Sequence, residues 1–256
     1  MTQLTRLLEI MAALRDSDTG CPWDREQTFR SIAPYTVEEA YEVAEAAEQN
    51  DAAALKDELG DLLLQVIFHS RMAEEAGLFD FDAVAHGLSD KLVRRHPHVF
   101  GKEQIEDAET QTRAWEDQKA AERGAAGILA GVAATLPALT RAVKLQKRAS
   151  RVGFDWDAIG PVVAKIHEEL DELRAEIDEG AAKARLEDEL GDVLFAVSNL
   201  ARHLDIDPEQ ALRGTNRKFI RRFEAIEAGL AARGERPEDV SLEAMDKLWV
   251  EAKRGE

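Results

Sequence analysis

Glu58-Leu59-Gly60-Asp61-Leu62-Leu63-Leu64-Gln65-Val66-Ile67-Phe68 is answered, 131 residues on, by Glu189-Leu190-Gly191-Asp192-Val193-Leu194-Phe195-Ala196-Val197. Each stretch sets two acids three positions apart in a run whose apolar residues recur at helical spacing, not at the period of two that marks a strand. Upstream of each stands another pair at the same spacing, Glu39 with Glu42 and Glu169 with Glu172, 130 residues apart. Residues three apart share a helix face. Two such helices laid antiparallel would point four carboxylates at one small volume. Unit charges ~4 Å apart repel by roughly 4 kcal/mol at an effective dielectric near 20. Such a cluster requires a cation or shared protons, and the chemistry it implies is a hard divalent metal.

Outward from these stretches the pattern stays helical, as in Leu4, Leu7, Leu8, Met11 and Leu14. No segment alternates with period two, and no Asn-Gly or Asp-Gly hairpin signal occurs. Helix breaks are expected at Gly20 to Pro22, Pro34, Gly77, Pro97, Gly153, Pro161, Pro208 and Pro237. The fold expected is all-α, in two tandem helical-bundle domains: 1–123, a Gly-punctuated linker over 124–135, and 136–256. Further matches keep the same order. Cys21-Pro22-Trp23-Asp24 answers Phe154-Asp155-Trp156-Asp157, Lys91 with Arg95 answers Lys218 with Arg222, and Trp115 with Lys119 answers Trp249 with Lys253. Ordered matches with small register drifts indicate duplication with loop insertions.

Composition narrows the function. In 256 residues, 45% are apolar and 33% charged, which suits amphipathic helices around modest cores. A formal charge of −18 argues against a nucleic-acid polymer or an anionic membrane as partner. A small phosphate ligand stays compatible if metal and a few placed cations screen the acids. Cys21 is the single cysteine and cannot form an internal disulfide. With no leader and no run of about 18 apolar residues, a cytoplasmic protein is expected.

The acids of the Gly-Asp stretches sit in very apolar surroundings, so they are expected to enter the core side, where carboxylates are rare unless paired or metal-bound. Gly60 and Gly191 each cost their helix roughly 0.5–1 kcal/mol against alanine, and close approach of a neighbouring helix is the expected benefit. An all-oxygen ligand set suits Mg²⁺, with Mn²⁺ as the alternative, and not zinc. A ferritin-like di-iron bundle needs Glu-x-x-His on two helices, and none of the six histidines follows a Glu at that spacing. His96-Pro97-His98 reads as a proline-terminated helix end. Lys218 and Arg222, one helical turn apart, followed by Trp249 and Lys253, supply cations for phosphate oxygens and an aromatic for a base.

With these residues in place, the whole chain resembles the two-domain MazG proteins of the all-α NTP-pyrophosphatase superfamily. The carriers are Gly20-Cys21-Pro22-Trp23-Asp24, Pro34-Tyr35-Thr36-Val37-Glu38-Glu39, Gly60-Asp61, Arg94-Arg95-His96-Pro97-His98-Val99-Phe100, Val152-Gly153-Phe154-Asp155-Trp156 and Glu189-Leu190-Gly191-Asp192. The resemblance implies Mg²⁺-dependent hydrolysis of nucleoside triphosphates to monophosphate and pyrophosphate, broad base tolerance, a homodimer and a housecleaning or stress role. It places the working metal ligands on Glu169, Glu172, Glu189 and Asp192, with Glu39, Glu42, Glu58 and Asp61 as the N-terminal counterparts. On the substrate side it places Lys165, Glu168, Arg185, Lys218, Arg222, Trp249 and Lys253. Lys165 and Arg185 stand one turn before their acids, where the first copy has Tyr35 and Ala54, so turnover is expected in the C-terminal copy. Two other readings stand beside this one: a sensing module that binds nucleotide and metal without turnover, and a pyrophosphohydrolase narrow for dUTP or dCTP.

Overall fold

Two left-handed residues, Asn50 (φ 56°) and Gly180 (φ 70°), bend the acid-bearing segments into hairpins. The computed structural model describes residues 2–102, 107, 110, 111, 115 and 127–255. Among these the regular structure is helical, with no strand. Chain packing divides the protein into two compact units, Met1–Lys119 and Ala120–Glu256. The expected linker begins among residues outside the described set, and Lys119 lies outside it too.

The first unit contains α1 (Gln3–Leu14), α2 (Pro22–Glu26), α3 (Phe29–Gln49), α4 (Ala52–Glu75), α5 (Phe81–Arg95) and α6 (Pro97–Phe100). Thr28 and Ser31 form a reciprocal capping box at the start of α3. Asp51 then caps α4 through the backbone N–H groups of Ala53 and Ala54, so the chain turns between the two helices within Asn50 and Asp51. Pro34 does not break this segment as expected but lies inside α3. It sits so near the start that only the bond to the Arg30 carbonyl, in the exposed first turn, is lost. Met11 of α1, Ile32 of α3 and Ile67, Phe68 and Met72 of α4 form the buried core, with Leu8 and Phe81 packed against it.

The second unit contains α7 (Ala138–Ser150), α8 (Ile159–Asp178), α9 (Lys183–His203), α10 (Pro208–Ala231), a 3₁₀ turn (Pro237–Asp239) and α11 (Leu242–Arg254). Pro161 and Pro208 fall in the first turns of α8 and α10, where the missing N–H had no helical acceptor. Helices α8 and α9 pair, α7 lies along α9, and α10 packs on α11 and α7. Ile226, Leu230 and Leu248 make a separate core for the α10–α11 hairpin, joined by Val240, Met245 and Trp249. The interior around α8 and α9 is small and polar by comparison, with Val162, Val193, Ala196, Ser198 and Asn199 all buried. No helix among the described residues is long and apolar enough to cross a membrane.

Candidate active site

In the second unit the α8–α9 hairpin buries Glu169 and Glu189, 6% and 4% exposed, and leaves Asp192 open. One carboxylate oxygen from each of these three lies within 4.8 Å of the others. Glu172 is exposed and close by. Desolvation raises its pKa first, then the charge and hydrogen bonding of Glu169 and the charge of Glu189, against the opposing pull of Lys165. The first unit repeats the arrangement, with oxygens of Glu39, Glu58 and Asp61 inside the same 4.8 Å span. There Glu39 and Glu58 are half-buried. Desolvation raises both of their pKa values, followed by the charges of Glu42 and Asp61.

The acids therefore converge, but of the Gly-Asp stretches only Glu189 is buried as expected, Glu58 is half-buried, and Asp61 and Asp192 are exposed. Leu59, Leu63, Leu190, Leu194 and Phe195, neighbours of the Gly-Asp pairs, remain 38% to 50% exposed. The expectation for the glycines fails within each unit, since a Cβ added at Gly60 or Gly191 would meet nothing within 4 Å. Both glycines face open surface beside the carboxylates rather than a neighbouring helix.

Cations distinguish the two clusters. Lys165 Nζ lies 2.8 Å from Glu169 Oε1 and 2.7 Å from Glu168 Oε1. Those two acceptors raise its pKa. Arg185 Nη2 lies 2.5 Å from Glu189 Oε1, its Nε 2.9 Å from Glu176 Oε1 and its Nη1 3.3 Å from Asp188 Oδ2. Because Glu176 belongs to α8, this guanidinium ties the two acid helices together. Sequence reading missed Glu176, whose place across the hairpin emerges only once the turn at Gly180 is known.

A cavity of about 600 Å³ opens beside the second cluster. Lys165, Glu169 and Asp192 line it together with Leu145, Gln146, Phe154, Trp156, Phe195 and Asn199. At the matching place in the first unit, Trp23 meets Tyr35 and Phe68 edge-on, with ring centroids 5.9 and 6.4 Å away. The Arg15 guanidinium lies 5.3 Å above the Phe68 ring. Aromatic side chains thus cluster at that place, where the second unit has Lys165 and Asn199 in the positions of Tyr35 and Phe68.

The predicted cation and aromatic group at the C-terminus forms its own cluster. Arg222 lies 5.2 Å above the Trp249 ring, and Phe219 stands 5.5 Å from it. Lys218 and Lys253 are exposed. None of Lys218, Arg222, Trp249 and Lys253 lines the cavity. In the first unit Trp115 Nε1 donates to the Arg95 carbonyl at 2.9 Å. His96 closes α5 with Nδ1 2.7 Å from the Leu92 carbonyl, and Pro97 opens α6, as a proline-terminated helix end requires.

The family model described as the MazG nucleotide pyrophosphohydrolase domain matches residues 27–100 and 161–226, spanning both acid hairpins. This chain belongs to the MazG family. Over 260 aligned residues it is 49% identical to the nucleoside triphosphate pyrophosphohydrolase of Escherichia coli K12, covering 100% of this chain and 99% of that protein. It is 43% identical to the nucleoside triphosphate pyrophosphohydrolase/pyrophosphatase MazG of Thermotoga maritima, over 98% of this chain and 95% of that one. The matched MazG segments include the eight acids, Lys165, Arg185, Lys218 and Arg222, and leave out Gln146, Phe154, Trp156, Trp249 and Lys253.

The donor set fits a metal. Carboxylate oxygens alone converge at each cluster, which suits a hard divalent cation.

Proposed function

We propose that this MazG protein hydrolyses nucleoside triphosphates to nucleoside monophosphate and pyrophosphate, and does so chiefly at the α8–α9 cluster. The observation that carries this reading is the convergence of Glu169, Glu189 and Asp192 within 4.8 Å, with Glu169 and Asp192 also lining a cavity large enough for a nucleotide. Glu169, Glu172, Glu189 and Asp192 would hold Mg²⁺, or Mn²⁺ in its place. Once bound, the cation polarises the phosphate oxygens and offsets the charge that builds on the leaving pyrophosphate.

The chain's own groups do the rest. Lys165 and Arg185, with side chains 35% and 52% exposed, fix the two buried carboxylates and still present N–H donors to phosphate oxygens. Glu168 holds the Lys165 ammonium from the solvent side. One carboxylate of the cluster orients water for in-line attack on the α-phosphorus. Lys218, Arg222, Trp249 and Lys253 are proposed to serve the substrate from the α10–α11 hairpin, in a homodimeric, cytoplasmic enzyme of broad base tolerance. The Glu39–Glu42–Glu58–Asp61 cluster, without cations at Tyr35 and Ala54, is the weaker or structural site.

The test is incubation with Mg²⁺ and a panel of ribo- and deoxyribonucleoside triphosphates, with products separated and counted. Equal monophosphate and pyrophosphate across several bases is the expected result. Diphosphate with inorganic phosphate would overturn the bond assignment. One preferred base would establish the narrow-specificity reading, and binding without turnover the sensing one.

A further inference from the structure

Glu176 lies in the last turn of α8 and Arg185 in the first turn of α9. A helix carries positive partial charge at its N-terminus and negative at its C-terminus, so each residue sits at the end that disfavours its own charge. An ion pair between partly exposed side chains adds little to stability and does not explain that placement. Nor do the acids need the pair as a staple. The first unit has Ala46 and Ala54 at the corresponding positions, and oxygens of Glu39, Glu58 and Asp61 still converge within the same 4.8 Å. What the pair does supply is direction. Arg185 Nε donates to Glu176 Oε1 at 2.9 Å across the hairpin, while Nη2 lies 2.5 Å from Glu189 Oε1. The guanidinium is a rigid plane, so two contacts from different helices set its orientation. A side chain 52% exposed would otherwise sample many rotamers.

We propose that Glu176 is a positioning residue for Arg185, holding its guanidinium beside Glu189 so that it meets the triphosphate in a fixed orientation. The proposal rests on the pyrophosphohydrolase reading, in which Arg185 donates to phosphate oxygens, and adds the group that aims it. Glu176 itself touches no substrate. When substrate draws the Nη end away from Glu189, the Nε contact keeps the arginine at the site. Asp188, on the same helix as Arg185, does this less well, since it lies 3.3 Å from Nη1 and is 70% exposed. Lys165 needs no anchor from across the hairpin, because Glu168 and Glu169 hold it from its own helix at 2.7 and 2.8 Å. The first unit lacks anchor and arginine together, as expected of two residues with one task.

The full chain is tested as wild type, Glu176→Ala, Glu176→Gln, Arg185→Ala and the Glu176→Ala, Arg185→Ala double variant. Readouts are KM for ATP with Mg²⁺, inhibition by inorganic tripolyphosphate, and Mn²⁺ uptake without nucleotide. Glu176→Ala is expected to raise KM and the tripolyphosphate inhibition constant together by about tenfold, the value of one hydrogen bond to a charged group. Glu176→Gln keeps an acceptor at the same reach and should restore most of that loss. Without Arg185, the change at Glu176 should have no further effect, and Mn²⁺ uptake should match wild type in Glu176→Ala. An unchanged KM in Glu176→Ala, or losses that add in the double variant, would overturn the positioning role. So would Mn²⁺ uptake weakened in step with KM, which would make the pair a staple for the acids. Should the wild type turn over no triphosphate, the pyrophosphohydrolase reading falls by itself. Calorimetry with Mg²⁺ and tripolyphosphate on the same proteins then decides the role of Glu176. A tenfold loss that vanishes without Arg185 supports it, and no such loss, or no binding at all, overturns it.

Discussion

The hairpins α3–α4 and α8–α9 present the same four acids at the same spacing, yet their interiors have diverged. In the first, Ile32, Ile67, Phe68 and Met72 are all at most 5% exposed and pack as an apolar core. Offsets of 130 residues on the first helix and 131 on the second place Val162, Ser198, Asn199 and His203 at the corresponding positions. These side chains are smaller or more polar, and two of them, Val162 and Asn199, line the cavity next to Glu169 and Asp192. Convergence of the carboxylates follows from hairpin geometry alone and tolerates either interior. What a cluster can receive is set by the packing behind it.

The largest effect should separate the clusters by activity. Replacing Glu169 and Glu189 together with glutamine should lower pyrophosphate release about a hundredfold or more. The same change at Glu39 and Glu58 should leave most of the rate. A reversed outcome would place the working site in the first unit.

Next comes stability. Phe68 is 3% exposed, so Phe68→Ala should destabilise the first unit by about 3–5 kcal/mol in denaturant melts. Asn199→Ala, bordering an existing cavity, should cost far less. Equal losses would mean that the two interiors are packed alike.

Acid should then act on the wall of the cavity. Burial raises Asp155, but hydrogen bonds from Arg202 and the Trp156 N–H, with the charge of Arg202, outweigh it and hold the carboxyl below its usual value. Its contribution to stability is thus complete above the unfolded value of about 3.9 and is lost as pH falls through the lower folded value. The gap in melting temperature between wild type and Asp155→Asn should narrow as pH falls from neutral toward 3. A gap that widens on acidification would contradict that sign. In the first unit Arg15 lowers Glu75 by hydrogen bonding, against its burial, and with Arg71 assisting, so the same direction is expected there.

The smallest effect is a gain. Gly191→Ala should stabilise the protein by about 0.5–1 kcal/mol, since the new methyl meets nothing within 4 Å. A loss of stability instead would mean that another chain packs closely on that surface.

Helical class, duplication and the meeting of the acids were readable because each follows from local spacing: i, i+3 pairs, a turn residue and a second helix. The cavity was not readable in the same way. It depends on α7 bringing Gln146 to the Phe195 carbonyl, a contact across 49 positions, and on volumes rather than on motifs. One signal did exist, the replacement of Phe68 by Asn199 within otherwise matched stretches, an exchange of a core residue for an amide. Gly60 and Gly191 misled because a glycine in a helix is compatible both with tight packing and with an open face, and only coordinates separate the two. Pro34 misled because a proline near a helix start loses little.

The claim under all of this is that the buried carboxylates of the second hairpin hold a divalent cation. Titrating Mn²⁺ into wild type and into the Glu169→Gln, Glu189→Gln double variant, with free ion followed by electron paramagnetic resonance, tests it most directly. Saturable uptake by the wild type that falls by at least one ion in the variant is the result expected, and identical uptake by both proteins would contradict the account.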